Sequence, residues 1–351
     1  MPFRIKVSLW ILATLVGIAL IGPLLVPIAP LADTVPARDL AWPGSAWTPA
    51  RGLDVHVEAV VDGAPTTDLT ALPSPADPAV LLLHGFGANT RSWGATLPWI
   101  GDDGDAPGDV ALAYDRPGFG LTDRPTGGWA RGANPYGPAA QVATAVALID
   151  VVGADSAVLV GHSAGGAIAL QTALDHPERV AALVLVAPAV YRGGGAPAWS
   201  KPLLRTPQLE RIGPVLMRQL GGSTGDDFLR TSWADPTRMD DAVFEAYRRP
   251  LQAHDWDVAL WELVKASAEP DLEGRLDEVR VPVLIVHGLQ DVVVPVEQSR
   301  DLVADLVNVP GGARLVELGG CGHLPHEECP DAFRAAVESW WGDRAAEGVR
   351  P

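Results

Sequence analysis

Residues 158–170 read VLVGHSAGGAIAL. Apolar residues (157–160) stop at Gly161-His162-Ser163-Ala164-Gly165, and small apolar residues then resume at helical spacing through position 173. The pattern predicts a strand, a very tight turn and a helix, with Ser163 at the apex. A serine forced into so strained a turn leaves no room for side chains two positions either side, which is the steric reason for the flanking glycines. Its hydroxyl then stands at the carboxyl end of the strand, above the amino terminus of the helix. The motif also arises by chance, and the strand before it with the helix after it is the context that gives it weight.

Working outward, the same alternation recurs. Residues 79–83 run into His84-Gly85-Phe86-Gly87, with a helix expected over 90–100. Residues 109–114 run into Asp115-Arg116-Pro117-Gly118-Phe119-Gly120, and a helix over 136–152 leads back to the Ser163 turn. Further apolar strands are expected at 180–186 and 281–286, followed by a helix (296–306), a strand (313–318) and a last helix (330–341). Fully apolar strands alternating with helices mean an α/β fold with a mostly parallel, doubly wound sheet covered on both faces. Residues 53–61 alternate and predict an earlier strand, with loop and room for one short strand over 62–78. Between residues 188 and 279 the alternation stops, and amphipathic pieces at 207–220, 239–254 and 256–268 predict a helical insertion lying as a lid over the strand ends.

The chain has 351 residues, 48% apolar and 20% charged, with net charge −17. So acidic a surface argues against nucleic acid as a partner, because phosphate binding needs a basic face. Residues 7–32 carry no charge and follow Arg4 and Lys6, while Asp33 comes directly after. About 20 apolar residues in a helix cross a bilayer, and the basic flank places the amino terminus inside and the body outside. The expected organisation is a membrane anchor (1–32), a linker (33–50), a core in two parts (51–187 and 280–342), a helical cap (188–279) and a tail (343–351). A cleaved signal peptide is the rival for 1–32, although its apolar region would be unusually long. Trp42 and Trp47 in the linker either reach the membrane interface or pack on the body.

LLLHGFG (81–87), YDRPGFG (114–120), VGHSAGG (160–166), VLIVHGLQDVVVP (283–295) and GCGHLPHEE (320–328) stand in the order and spacing of the α/β-hydrolase superfamily, which residues 53–341 resemble. The resemblance implies Ser163 as nucleophile, Asp291 as acid and His323 as base, with the backbone amides of Phe86 and Ala164 as the oxyanion hole. The chemistry agrees: a serine hydroxyl needs an adjacent base, oriented in turn by a carboxylate. Asp291 follows an apolar strand, and His323 sits in a glycine-dense loop after another. Two amides aimed at the developing charge supply a large share of such catalysis. No cofactor is expected, and no His/Cys/carboxylate cluster has metal-ligand spacing.

Other candidates carry blander readings. His84 and His287 end strands and read as structural, His162 belongs to the turn, and His56, His176, His254 and His326 have no nucleophile beside them. Asp115 reads as a loop fastener, and Glu327 or Glu328 as a cap of the last helix. Cys321 and Cys329 bracket His323. In an oxidising location they form a disulfide pinning that loop, or else they stay two buried thiols.

Within the superfamily, Ser163 departs from the dehalogenase and epoxide-hydrolase branches, which use Asp there. Leu324 departs from the carbon–carbon bond hydrolases, in which Trp follows the catalytic His. The resemblance therefore implies a lidded serine esterase acting through an acyl-enzyme; the Trp, Leu, Met and Phe of the insertion suit small to medium apolar carboxylic esters, and the amino-terminal run makes the expected enzyme membrane-anchored and extracytoplasmic. A carbon–carbon hydrolase or perhydrolase and a non-catalytic binding module of the same fold are the alternatives.

Overall fold

A computed structural model describes residues 3–73, 75, 78–100, 108–127, 129, 134–191, 198–267 and 272–346, with the side chains of a few residues in the first and last helices left undescribed. The glycine-rich stretch 192–197 and the tail from 347 onward lie outside the described residues.

Among the described residues nine strands form one sheet: β1 (Ala46–Ala50), β2 (Leu53–Val61), β3 (Ala64–Thr66), β4 (Ala79–Leu83), β5 (Val110–Tyr114), β6 (Ala157–His162), β7 (Val180–Val186), β8 (Val283–Gly288) and β9 (Arg314–Leu318). Their order is β1-β2-β5-β4-β6-β7-β8-β9, with β3 hung on β2. β1, β2 and β3 pair antiparallel, and everything from β5 to β9 runs parallel. β4 to β8 are buried along their whole length, apart from half-buried Ala181 of β7, which is why they read as continuous apolar runs.

Alternate residues feed two cores. Leu81, Leu83 and Leu159 face the helices α2 (Pro138–Val151), α3 (Ala164–Asp175) and α9 (Glu297–Asp305). Val80, Leu82, Val158 and Val160 face Trp93, Trp99 and the last helix α11 (Pro330–Ala346) through Phe333, Trp340 and Trp341. The helix expected over 90–100 is instead two 3₁₀ turns, Thr90–Trp93 and Leu97–Trp99. Asn89 caps the first by accepting from the Arg91 amide, while Gly94 and Pro98 deny a continuous helix its middle.

Between β7 and β8 lie α4 (Lys201–Leu204), α5 (Pro207–Met217), α6 (Ser223–Thr231), α7 (Asp241–Arg248) and α8 (Trp256–Ala266). Asp240 caps α7 by accepting from the Val243 amide at 3.0 Å, and Thr206 with Pro207 opens α5. α6 has too little apolar periodicity in sequence to announce itself. The cap is fastened to the core at separate places. Asn89 Nδ2 donates to Ala246 O (2.9 Å), Arg124 donates to Pro250 O (3.4 Å) and the His323 amide donates to Ser232 O (2.7 Å). Val35 bridges Ala253, with Val35 N donating to Gln252 O and His254 N to Val35 O.

The segment expected as a linker is therefore structured. Its end forms β1, an edge strand, where Pro49 needs no ladder N–H. Trp47 packs on His56 at 4.9 Å between ring centroids, and Arg91 and Arg249 lie over Trp42, so both tryptophans pack on the body. The amino-terminal helix α1 (Phe3–Leu25) precedes it. Among the described residues no helix is long and apolar enough to cross a membrane, so the fold lends the expected transmembrane span no support.

Candidate active site

β6 ends at His162, and Ser163 turns the chain with φ 51° and ψ −119° into α3. That conformation is strained for a residue with a Cβ. It is held by Ser163 N donating to Val186 O (2.9 Å) and by Ala189 N donating to Ser163 O (3.2 Å). The flanking glycines are required sterically: a Cβ on Gly165 would stand 2.2 Å from Leu83 O, and one on Gly161 2.7 Å from Gly165 O.

Neighbouring strands deliver the partners to the same edge of the sheet. Asp291 follows β8, and His323 follows β9 just before the short helix α10 (Pro325–Glu328). His323 Nδ1 donates to Asp291 Oδ2 at 2.7 Å in a buried pair. The Val293 and Val294 amides donate to Asp291 Oδ1 at 2.8 and 2.9 Å. Burial alone would raise the Asp291 carboxyl, but hydrogen bonds from His287 and His323, the charge on His323 and the Val294 amide outweigh it and hold it at about 2.

Ser163 and His323 line one cavity of about 480 Å³ with Phe86 and Ala164, and the cap closes it with Leu220, Phe228 and other apolar side chains. Among the described residues the serine hydroxyl has no hydrogen bond to the imidazole, a contact that often tightens only with substrate present. Ala164 is the first residue of α3, where an amide has no partner within the helix. Phe86 follows β4 and packs edge-on against Phe119. The cavity thus gathers the proposed nucleophile, base and both oxyanion residues, with the acid behind the base.

Several supporting residues carry more than their sequence context showed. His287 Nε2 faces two acceptors, Asp291 Oδ2 (3.0 Å) and Val294 O (2.9 Å), and so carries a proton, while Ser299 Oγ donates to Nδ1 at 2.6 Å. His56 forms a buried pair with Asp115 at 2.6 Å. Asp115 also accepts from the Thr90 and Leu121 amides, fastening two loops as expected. His84 Nδ1 donates to Gly85 O and its Nε2 accepts from Arg116 N, and burial with the nearby Arg116 charge keeps it neutral, lowered to about 3. His162 donates from Nε2 to His323 O.

Neither glutamate caps α11. Glu328 is buried and accepts from the amides of Gly322 (2.7 Å), Ala234 (3.0 Å) and Asp235 (2.9 Å), tying the histidine loop to the cap. Glu327 accepts from Tyr247 Oη at 2.6 Å, and burial pushes its carboxyl up to about 8 against the lowering effect of that bond. Cys321 and Cys329 are joined in a disulfide. The disulfide is one of the two readings its cysteines allowed; the bonds of Glu327 and Glu328 into the cap leave no local signal, because they join segments far apart in sequence.

A model of the alpha/beta hydrolase family matches residues 80–336. The chain belongs to the alpha/beta hydrolase family. Within it, the chain is 30% identical over 272 residues to a 2-hydroxy-6-oxo-6-phenylhexa-2,4-dienoate hydrolase of Burkholderia cepacia, covering 73% of this chain and 84% of that protein. A Comamonas testosteroni hydrolase of the same name is 28% identical over 278 residues, covering 74% and 86%. Among solved structures, a thermophilic esterase from Thermogutta terrifontis superposes with TM-score 0.62 at 21% identity, over 85% of this chain and 95% of its own. These hydrolase-family relatives make the chain a hydrolytic enzyme.

Proposed function

We propose that the chain is a serine esterase of small to medium apolar carboxylic esters. The observation that carries this reading is the Asp291–His323 pair at 2.7 Å, set on a mostly apolar cavity that also holds Ser163. Ser163 Oγ attacks the ester carbonyl carbon while its proton passes to His323 Nε2. The negative oxygen rests on the Phe86 and Ala164 amides. His323 returns the proton to the leaving alcohol, then takes one from water, whose oxygen attacks the acyl carbon; the bond to Ser163 Oγ breaks, the acid leaves and His323 hands its proton back to Ser163. Asp291 stays ionised throughout and steadies the imidazolium.

The test compares the native chain with Ser163→Ala on nitrophenyl esters of increasing acyl length. Turnover lost in the variant, with fluorophosphonate labelling of the native serine, supports the reading, and the preferred length sizes the pocket. A folded native protein inert on every ester and unlabelled would sink it.

A carbon–carbon hydrolase is the second reading, favoured by the names of the two bacterial relatives. Arg116 adds to it: its guanidinium is buried on the cavity wall, bonded to Gln141 Oε1 at 2.7 Å and to no carboxylate among the described residues. That charge suits a substrate bearing its own carboxylate, as a dienoate does. Loss of dienoate absorbance on mixing, faster than ester turnover, would select this reading.

We further propose that the amino-terminal segment ties the enzyme to a membrane with its body extracytoplasmic. Arg4 and Lys6 precede the apolar run, and α1 leaves Trp10, Ile11, Leu12, Leu15 and Ile18 exposed, which is costly in water. Carbonate-resistant flotation of the full chain with vesicles tests it, and full release by carbonate would remove it.

A further inference from the structure

The amino-terminal segment runs along the cap, and its contacts are specific. Gln208 Nε2 donates to Leu20 O (2.8 Å), an Arg211 guanidinium nitrogen to Val26 O (2.9 Å) and an Arg218 nitrogen to Ala29 O (2.8 Å). Leu31 packs into the small core of Trp256, Leu260 and Leu263. These bonds place α5 beside the carboxyl end of α1, and α4 in turn packs on α5.

The same part of the cap, residues 199–218, carries exposed apolar side chains. Trp199 is 76% exposed, and Leu203 of α4 and Leu216 of α5 are exposed as well. It is also basic, in a chain of net charge −17: from residue 199 to 218 there are four basic residues and one acid. The one acid, Glu210, is taken by Lys265, and Arg218 is taken by Asp257. Lys201, Arg205 and Arg211 are left without a carboxylate partner among the described residues. An exposed tryptophan and leucines, with Lys201 and Arg205 close by in sequence, fit the headgroup layer of a bilayer. There the indole sits at the interface, aliphatic stems lie along lipid with their charges at the headgroups, and anionic lipid attracts the cations.

We propose that the α4–α5 face of the cap docks on an anionic lipid surface beside α1, so that the enzyme lies cap-down on its membrane. The inference extends the membrane reading above to a surface that reading does not require. Anionic lipid is chosen over a protein partner because α5 is bonded to the end of α1, a helix whose own exposed side chains are apolar.

The test uses the full chain with Leu203→Cys, or with Val307→Cys as control, each carrying an environment-sensitive fluorophore. Val307 is exposed after α9, at the end of the sheet away from the cap. The disulfide leaves no other cysteine free. Each protein is mixed with vesicles of neutral lipid, or of neutral plus anionic lipid, containing a doxyl-labelled lipid quencher. The expected result is quenching at position 203 and not at 307, stronger with anionic lipid and weakened by salt. Adding Lys201→Gln and Arg205→Gln weakens it by roughly an order of magnitude or more. Carbonate-resistant flotation with no quenching at 203 overturns the inference and leaves the anchor standing. Quenching at 203 that carbonate abolishes upholds the inference and removes the anchor. Equal quenching with neutral and anionic lipid overturns the charge argument, and equal quenching at both positions overturns the orientation.

Discussion

His287 Nε2 lies 3.0 Å from Asp291 Oδ2, the same oxygen that receives the Nδ1 proton of His323 at 2.7 Å. One buried carboxylate oxygen is thus shared by two imidazoles, and only one of them lines the cavity. His287→Leu removes one of the donors that fix the carboxylate while leaving the valine amides in place. The expected outcome is a fall of roughly ten- to a hundredfold in kcat/KM on an ester, at about 1.5–3 kcal/mol per lost bond to a charged group. Asp291→Asn should cost far more, on the order of 10⁴ in kcat. Unchanged kinetics in His287→Leu would remove that residue from any positioning role.

Glu328 offers a second test of the same loop. Its carboxylate accepts from three backbone amides, two of them in the cap, and such bonds are about twice as strong as neutral ones. Glu328→Gln keeps the shape but loses the charge and presents two N–H groups to donors. Lower kcat with little change in KM, together with a lower melting temperature, is expected. A loss of stability with full activity per folded molecule would show that the loop holds its geometry without it.

The disulfide closes a short loop around His323. Replacing both cysteines with serine frees the unfolded chain and, on a loop-entropy basis, costs about 2–3 kcal/mol. Thermal unfolding with and without a thiol reductant measures this, since only the native protein should respond to the reductant.

Glu327 gives a stability that depends on pH. Its carboxyl is raised to about 8 in the folded chain, from 4.5 when exposed. The folded state therefore binds an extra proton between these values, and its contribution is fully present below about 4.5 and lost as pH rises towards 8. Glu327→Gln should flatten the fall in melting temperature across that window. Parallel curves for the two proteins would contradict the buried, protonated carboxyl.

Much of the fold was legible because its signals are local. A fully buried parallel strand must be apolar along its length, and the Ser163 turn admits no side chain at Gly161 or Gly165. The resemblance singled out Ser163, Asp291 and His323, and the position of each after an apolar strand put them at one sheet edge. What could not be read depends on partners distant in sequence. β1 hides in a Pro- and Trp-rich stretch because an edge strand needs only one neighbour, and the bonds of Glu328 to Ala234 and Asp235 span about ninety residues. The 3₁₀ turns at 90–99 escaped because apolar spacing alone does not separate a broken helix from a continuous one.

The fastening of the cap at Val35, Asn89, Arg124 and His323 has a kinetic consequence. Swinging this roof away as a unit would break bonds at four separated places together. Traffic therefore falls to single side chains at the wall, such as Phe86 and Phe228, both exposed. Ring rotations of that kind take picoseconds to nanoseconds, against microseconds to milliseconds for a hinged closure. Molecules are then sorted by the width of a standing doorway, and bulk near the bond to be cleaved, rather than the ability to trigger closure, decides which of them is turned over.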